Sequence, residues 1–207
     1  MMVRVKICGI TTAKDAFWAA RCGADAVGFN FVDGTPRYIE PEKAKPIVLQ
    51  MPPFVSAVGV FANASPEKVQ EIFDFCNLDY AQLHGHETPA FCQRLSDIPI
   101  IKAIHIETEE DLKELERYKV NSYLLDARVK GKLGGTGQTI DWNIARRASQ
   151  YGNILLAGGL NPDNVIEAVK RARPYAVDVA SGVEYQPGQK SRTAVRDFIR
   201  LAKSVEL

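Results

Sequence analysis

Eight short β-branched or aliphatic runs begin near Val3, Asp25, Val55, Leu78, Pro99, Asn121, Asn153 and Tyr175, at successive intervals of 22, 30, 23, 21, 22, 32 and 22 residues. Helix-start signals stand between them. Ser65-Pro66, Thr88-Pro89 and Asn161-Pro162 each pair a side-chain acceptor with a proline suited to the first helical position. Thr108-x-x-Asp111 resembles a capping box, and Gly23 after Arg21-Cys22 reads as a helix stop. Strict alternation of strand and helix predicts a parallel sheet, because parallel neighbours need a crossover connection and a helix is the usual one. An open sheet of eight strands would leave two exposed edges, whereas a closed barrel leaves none. The pattern therefore predicts an α/β chain folded as one compact (β/α)8, or TIM, barrel. With 207 residues the chain is near the short limit of roughly 200 for that fold. No linker or low-complexity stretch divides it, so residues 1–207 are expected to form a single domain.

Composition removes whole classes of function. Hydrophobic residues make up 46% and charged residues 25%, ordinary values for a globular protein. The 26 basic and 25 acidic residues nearly cancel, leaving no global field to attract nucleic acid or an anionic membrane. An anionic ligand must be held locally. Cys8, Cys22, Cys76 and Cys92 form no C-x-x-C pair and no disulfide framework, which fits a reduced, cytoplasmic chain. The opening Met1-Met2-Val3-Arg4-Val5-Lys6 runs into a strand pattern with no signal-like apolar core, and no apolar run reaches the ~18 residues of a membrane span. A homodimer and a monomer are equally compatible with the pattern.

Two intervals are longer than the rest, and both fall after strands, on the face where such barrels carry their sites. They hold Val32 to Pro41 and Ala127 to Gln138. The second includes four glycines between Lys130 and Gly137, the composition of a loop that orders over ligand. Strand 1 ends in Lys6-Ile7-Cys8-Gly9, strand 6 in Leu124-Leu125-Asp126 and strand 8 in Val177-Asp178-Val179. Alternation turns Val177 and Val179 toward the helices and Asp178 into the barrel mouth, and sets Lys6 and Cys8 together opposite Val5 and Ile7. Read singly, Cys8 could be inert packing and either aspartate a loop cap.

Gly-rich turns follow strands 6, 7 and 8: Gly134-Gly135-Thr136-Gly137, Gly158-Gly159 and Ser181-Gly182. Barrels hold phosphate on the backbone amides of the loops after strands 7 and 8, without needing lysine. Bulky side chains at Gly159 or Gly182 are expected to collide with the anion. His84, His105 and Asp126 raise the rival of a two-histidine, one-carboxylate metal site. Hydrogen-bonded structural histidines are the favoured reading, with His86 in a loop and no metal or cofactor.

Several blocks together resemble one family. They are Lys6-Ile7-Cys8-Gly9-Ile10-Thr11, Gly28-Phe29-Asn30-Phe31 with Pro36-Arg37-Tyr38-Ile39, Val58-Gly59-Val60-Phe61, Gln82-Leu83-His84-Gly85, Gly134-Gly135-Thr136-Gly137, Leu156-Ala157-Gly158-Gly159-Leu160, and Val177-Asp178-Val179-Ala180-Ser181-Gly182-Val183-Glu184. From Lys6 to about Lys190 the chain resembles the phosphoribosylanthranilate isomerases of tryptophan biosynthesis. The resemblance implies a cofactor-free Amadori rearrangement of a small phosphorylated substrate, with Asp126 as general acid and Cys8 as general base. It also implies that Arg37 holds the anthranilate carboxylate, that Asp178 lies near the anilino nitrogen, and that Gly135, Gly158, Gly159, Ser181 and Gly182 contribute to binding. Thr35, Ala180 and Ser191 depart from the family pattern without touching Cys8, Asp126 or Arg37.

Free Asp titrates near ~3.9 and free Cys near ~8.5, so the site must shift both groups for work at neutral pH. Partial burial is expected to raise Asp126, and Lys6 to favour the Cys8 thiolate against the opposing effect of burial. The competing readings are a metal-dependent sugar-phosphate epimerase, which needs converging ligands, and a silent phosphate-binding barrel.

Overall fold

A computed structural model describes residues 2–127 and 141–207. Eight parallel strands close into a barrel in sequence order: β1 (Arg4–Cys8), β2 (Ala26–Asn30), β3 (Ser56–Phe61), β4 (Tyr80–Leu83), β5 (Ile100–Ile106), β6 (Ser122–Ala127), β7 (Asn153–Leu156) and β8 (Ala176–Val179). Closure is made by β8 pairing with β1, with Asp178 beside Lys6 and Val177 beside Val5. The (β/α)8 expectation is thus met.

Around the barrel lie α1 (Ala13–Arg21), α2 (Pro41–Val48), α3 (Pro66–Cys76), α4 (Pro89–Arg94), α5 (Trp142–Arg147), α6 (Val165–Ala172) and α7 (Arg192–Lys203). Between β8 and α7 the chain makes a short 3-10 turn (Ser181–Val183) and a small antiparallel hairpin, β9 (Glu184–Gln186) and β10 (Gln189–Lys190). Among the described residues no helix is long and apolar enough to cross a membrane.

Local chemistry accounts for most boundaries. Ser65 and Thr88 accept from the amides of Lys68 and Phe91, each followed by proline at the helix start. Gly23, at φ +95°, closes α1: its amide donates to Ala20 O while the Ala24 amide donates to Ala19 O. Two expectations shift. Asn161 accepts from the amides of Asp163 and Asn164, so the chain turns there and α6 starts only at Val165. After Thr108 the segment Glu110–Arg117 is a 3-10 helix, in which the two buried leucines, Leu112 and Leu115, stand one three-residue turn apart. Asp111 Oδ2 nonetheless accepts from the Glu107 and Thr108 amides, the back-reaching half of a capping box.

Alternation along the strands divides the core in two. Val5, Ile7, Phe29, Leu83, Leu125, Val177 and Val179 face the helices in the larger apolar cluster. Val58, Ile101, Ala103, Leu124, Leu155, Ala157 and Ala176 fill the barrel interior. Lys6, Gln82, Asp126 and Asp178 share the interior parity and are buried at its upper, C-terminal end.

Candidate active site

The cavity at the C-terminal end of the strands is lined by Cys8, Arg37, Asp126, Asp178, Gly158, Gly159, Ser181 and Gly182, together with Gly9, Asn30, Gln82 and His84. The structure therefore brings together every candidate residue except Gly135. That residue, and the glycine-rich segment from Lys130 to Gly137, lie outside the described residues.

On one wall, Lys6 Nζ donates to Asp178 Oδ1 at 2.8 Å, a buried pair set by the β1–β8 register. Burial pulls the Lys6 ammonium down in pKa, but Asp178 and Cys8 outweigh it and raise the group above its ordinary value. Cys8 follows two residues later on the same face. Burial pushes its thiol up, and the attraction of Lys6 does not offset that, so the expected Lys6-stabilised thiolate is not the resting form. Gly28 sits beside Cys8 in the β1–β2 register, where a Cβ would come within 2.8 Å of Sγ. Room for the thiol depends on that missing atom.

Arg37 reaches the cavity from the loop between β2 and α2. Gly9, at φ +75°, lets the β1 loop pass beneath it, since a Cβ there would lie 2.6 Å from Arg37 Cδ. The Arg37 guanidinium is held by Glu184 through two hydrogen bonds of 3.0 and 2.7 Å.

Asp126 ends the interior row of β6, beside His105 of β5. His84 Nε2 approaches Asp126 Oδ2 to 3.4 Å, and His84 Nδ1 pairs with Gln82 Nε2 at 2.9 Å. With the Gln82 amide donating, His84 carries its proton on Nε2 and turns an N–H toward Asp126. The His84 and His105 rings stand 6.0 Å apart, and among the described residues no three His, Cys, Asp or Glu side chains cluster as a metal would need.

Across the cavity, Gly158 and Gly159 take φ +81° and +64°, a double left-handed bend that side chains resist. Asn164 Nδ2 braces it by donating to Gly159 O at 3.0 Å. Gly182 is a correction. A Cβ there would lie 1.9 Å from Leu160 O, so a side chain would strike the neighbouring backbone before it met an anion. Substitution at 182 therefore disturbs the packing of the two loops rather than affinity alone.

Glu184, Lys190, Gly9 and Gly28 escaped the reading of single motifs. Glu184 lies 147 residues from Arg37, whereas Lys190 pairs with Glu184 only six residues back but in no motif that marks it.

The family described as N-(5'-phosphoribosyl)anthranilate (PRA) isomerase matches residues 5–201. A curated N-(5'-phosphoribosyl)anthranilate isomerase from Geobacter sp. (strain M21) is 50% identical over 204 residues, covering 99% of this chain and 100% of the relative. Among solved structures, monomers generated from the dimeric phosphoribosylanthranilate isomerase of Thermotoga maritima superpose with a TM-score of 0.88 at 39% identity, covering 99% of this chain and 100% of that one. A phosphoribosyl anthranilate isomerase in complex with reduced 1-(o-carboxyphenylamino)-1-deoxyribulose 5-phosphate gives 0.88 at 40% identity with the same coverage. By profile, by relatives and by structure, the chain belongs to the N-(5'-phosphoribosyl)anthranilate isomerase family.

Proposed function

We propose that the protein isomerises N-(5-phosphoribosyl)anthranilate to 1-(2-carboxyphenylamino)-1-deoxyribulose 5-phosphate, the Amadori step of tryptophan biosynthesis. The observation that carries this reading is the meeting in one cavity of a thiol, two carboxylates, a guanidinium and two glycine-bearing loops. The loops at Gly158-Gly159 and Ser181-Gly182 hold the phosphate, and Arg37 holds the aryl carboxylate. Gly135 belongs with the substrate-binding residues in this reading. The Asp178 oxygen not engaged by Lys6 faces the anilino nitrogen. A metal-dependent epimerase has no use for a guanidinium aimed at an aryl carboxylate, and the family assignment favours the isomerase.

The proton movements follow from the substrate. Asp126 gives its proton to the furanose ring oxygen as the C1–O bond breaks, and the nitrogen lone pair forms the C1 iminium. Cys8, as thiolate, then takes the C2 proton. The C–H pair becomes the C1–C2 double bond, and the iminium pair returns to nitrogen to give the enolamine. Ketonisation moves one further proton, from the C2 hydroxyl to C1. The iminium is a cation next to a thiol that burial otherwise keeps protonated, so ionisation of Cys8 is favoured when the intermediate forms rather than before, its proton passing to solvent while solvent returns one to Asp126, and uptake of the C2 proton restores the thiol.

The reading extends to a single domain over residues 1–207, working in the cytoplasm as a homodimer. Free Cys8, Cys22, Cys76 and Cys92 support the compartment. A fully exposed Phe54 at φ +70°, five residues after an exposed Leu49, supports a self-association surface. Consumption of phosphoribosylanthranilate by the purified protein, unchanged by a chelator, tests the activity; no turnover overturns it. A monomeric mass in sedimentation at micromolar concentration overturns the dimer.

A further inference from the structure

Arg37 is one end of a buried chain of contacts. Its Nε donates to Glu184 Oε1 and its Nη2 to Glu184 Oε2, a fork-on-fork pair between the β2–α2 loop and the start of β9. Glu184 Oε1 also accepts from Lys190 Nζ at 2.7 Å, and the Glu184 and Lys190 side chains are only 3% and 2% exposed. Lys190 Nζ makes a second donation, at 3.1 Å, to Ala180 O. Ala180 directly precedes Ser181-Gly182. The contacts thus run from Arg37 through Glu184 and Lys190 to the loop that carries Ser181-Gly182, and Arg37, Ala180, Ser181 and Gly182 all line the cavity.

The hairpin carrying this chain is itself braced against the loop after β1 and the Arg37 loop. Thr11 Oγ1 donates to Gly188 O at 2.7 Å, and Gly188, at φ +81°, sits so close to Pro36 that a Cβ would lie 2.6 Å from Pro36 O. Burial pushes Glu184 up, but hydrogen bonds from Arg37 and the charge of Lys190 outweigh it and keep the carboxylate ionised. Two buried charges and a half-buried third are an inefficient way to join loops, since apolar packing of the same volume stabilises a fold at least as well. What they do provide is a guanidinium whose plane is fixed and whose Nε and Nη2 edge is already filled, with a surplus positive charge left for a ligand.

We propose that Glu184 and Lys190 are positioning residues forming a rigid spacer between two anion subsites, which holds Arg37 at the distance from Ser181-Gly182 that a ligand with a carboxylate at one end and a phosphate at the other requires. The inference rests on the assignment of Arg37 and the phosphate loops made above. The spacer sets the length of ligand that can use both charges, while a ligand bearing only the phosphate ignores it.

Two probes separate these effects: reduced 1-(o-carboxyphenylamino)-1-deoxyribulose 5-phosphate, and the same compound made from aniline, without the carboxylate. Their dissociation constants are measured by calorimetry on wild type, Glu184→Gln and Glu184→Asp. Wild type should prefer the carboxylate ligand by about 10–100-fold, the usual worth of charge-assisted hydrogen bonds. Both variants should lose that preference, to under about threefold, while binding the aniline compound within about threefold of wild type. Retention or growth of the preference in either variant overturns the proposal, as does an equal loss for both ligands, which marks Glu184 as a strut of the fold alone. If Glu184→Gln does not fold, the Glu184→Asp ratio decides. Absence of any preference in wild type overturns instead the assignment of Arg37 on which the spacer rests.

Discussion

On the wall formed by β1 and β8, Lys6, Asp178 and Cys8 share one buried cluster in which the ammonium and carboxylate meet at 2.8 Å. On the wall formed by β4 to β6, Asp126 meets His84 only at 3.4 Å, and Gln82 Oε1 is buried with no hydrogen-bond partner among the described residues. The first wall has its electrostatics complete before a ligand arrives. The second keeps unmet hydrogen-bonding capacity. The difference matches the two proposed tasks. A base that must wait for a cation is well served by a fixed, charge-balanced surround, whereas an acid that loses its proton early needs neighbours able to adjust to the new carboxylate.

The largest effects should come from the two groups themselves. Asp126→Asn keeps the shape but cannot donate a carboxyl proton, and kcat should fall by roughly 10²–10⁴. Cys8→Ser should fall comparably, because a hydroxyl is a far weaker base than a thiolate. Only Cys8→Ser should abolish exchange of the C2 proton when the ring-opened iminium is supplied directly. If either variant keeps near-native kcat, the contrast between the walls has no chemical meaning and Asp178 becomes the next candidate.

Lys6→Met should strike the fold. It leaves Asp178 as a buried carboxylate without its ammonium, at a cost of roughly 3–5 kcal/mol. Urea unfolding should show a correspondingly lower midpoint, whereas His84→Asn, on the looser wall, should shift the midpoint little. Equal shifts in the two variants would erase the distinction.

Gly28→Ala places a Cβ 2.8 Å from Cys8 Sγ and 3.2 Å from Lys6 Cε. The expected strain is about 1–3 kcal/mol. It should appear mainly as a drop of about tenfold or more in kcat, with KM nearly unchanged, because Arg37 and the phosphate loops are untouched. Loss in KM alone would mean that the thiol is not where the reaction occurs.

The mildest test is titration. Because burial raises the Cys8 thiol above its ordinary range, the thiolate gains population only at a pH higher than a solvated thiol needs. Alkylation of Cys8 by iodoacetamide in the ligand-free protein should therefore keep accelerating above pH 9, where a solvated thiol has begun to level off. A plateau near pH 7 would show that Lys6 prevails after all.

The strands were legible because each carries enough β-branched residues to declare its period, and Asp178 was legible because its neighbours Val177 and Val179 have only one apolar side to choose. The resting state of Cys8 was not. It depends on how completely the thiol is dried, a property of the closed barrel rather than of the string Lys6-Ile7-Cys8. Gly182 shows the same limit: the motif marks a glycine, but only the Leu160 carbonyl lying against it says why. The Arg37–Glu184 pair joins residues with no local pattern between them, so sequence periodicity has nothing to report.

Closure of the barrel through β1 and β8 also governs when activity can first exist. Cys8 and Lys6 leave the ribosome some way ahead of Asp178, Glu184 and Lys190, which complete their surroundings. While the final strand is still being made, β1 lacks one of its two neighbours and Arg37 lacks its anchor. The nascent chain can gather apolar surface strand by strand, but catalysis arrives in one step, once β8 and the hairpin after it have been added, and a product terminated before them should be inert rather than partly active.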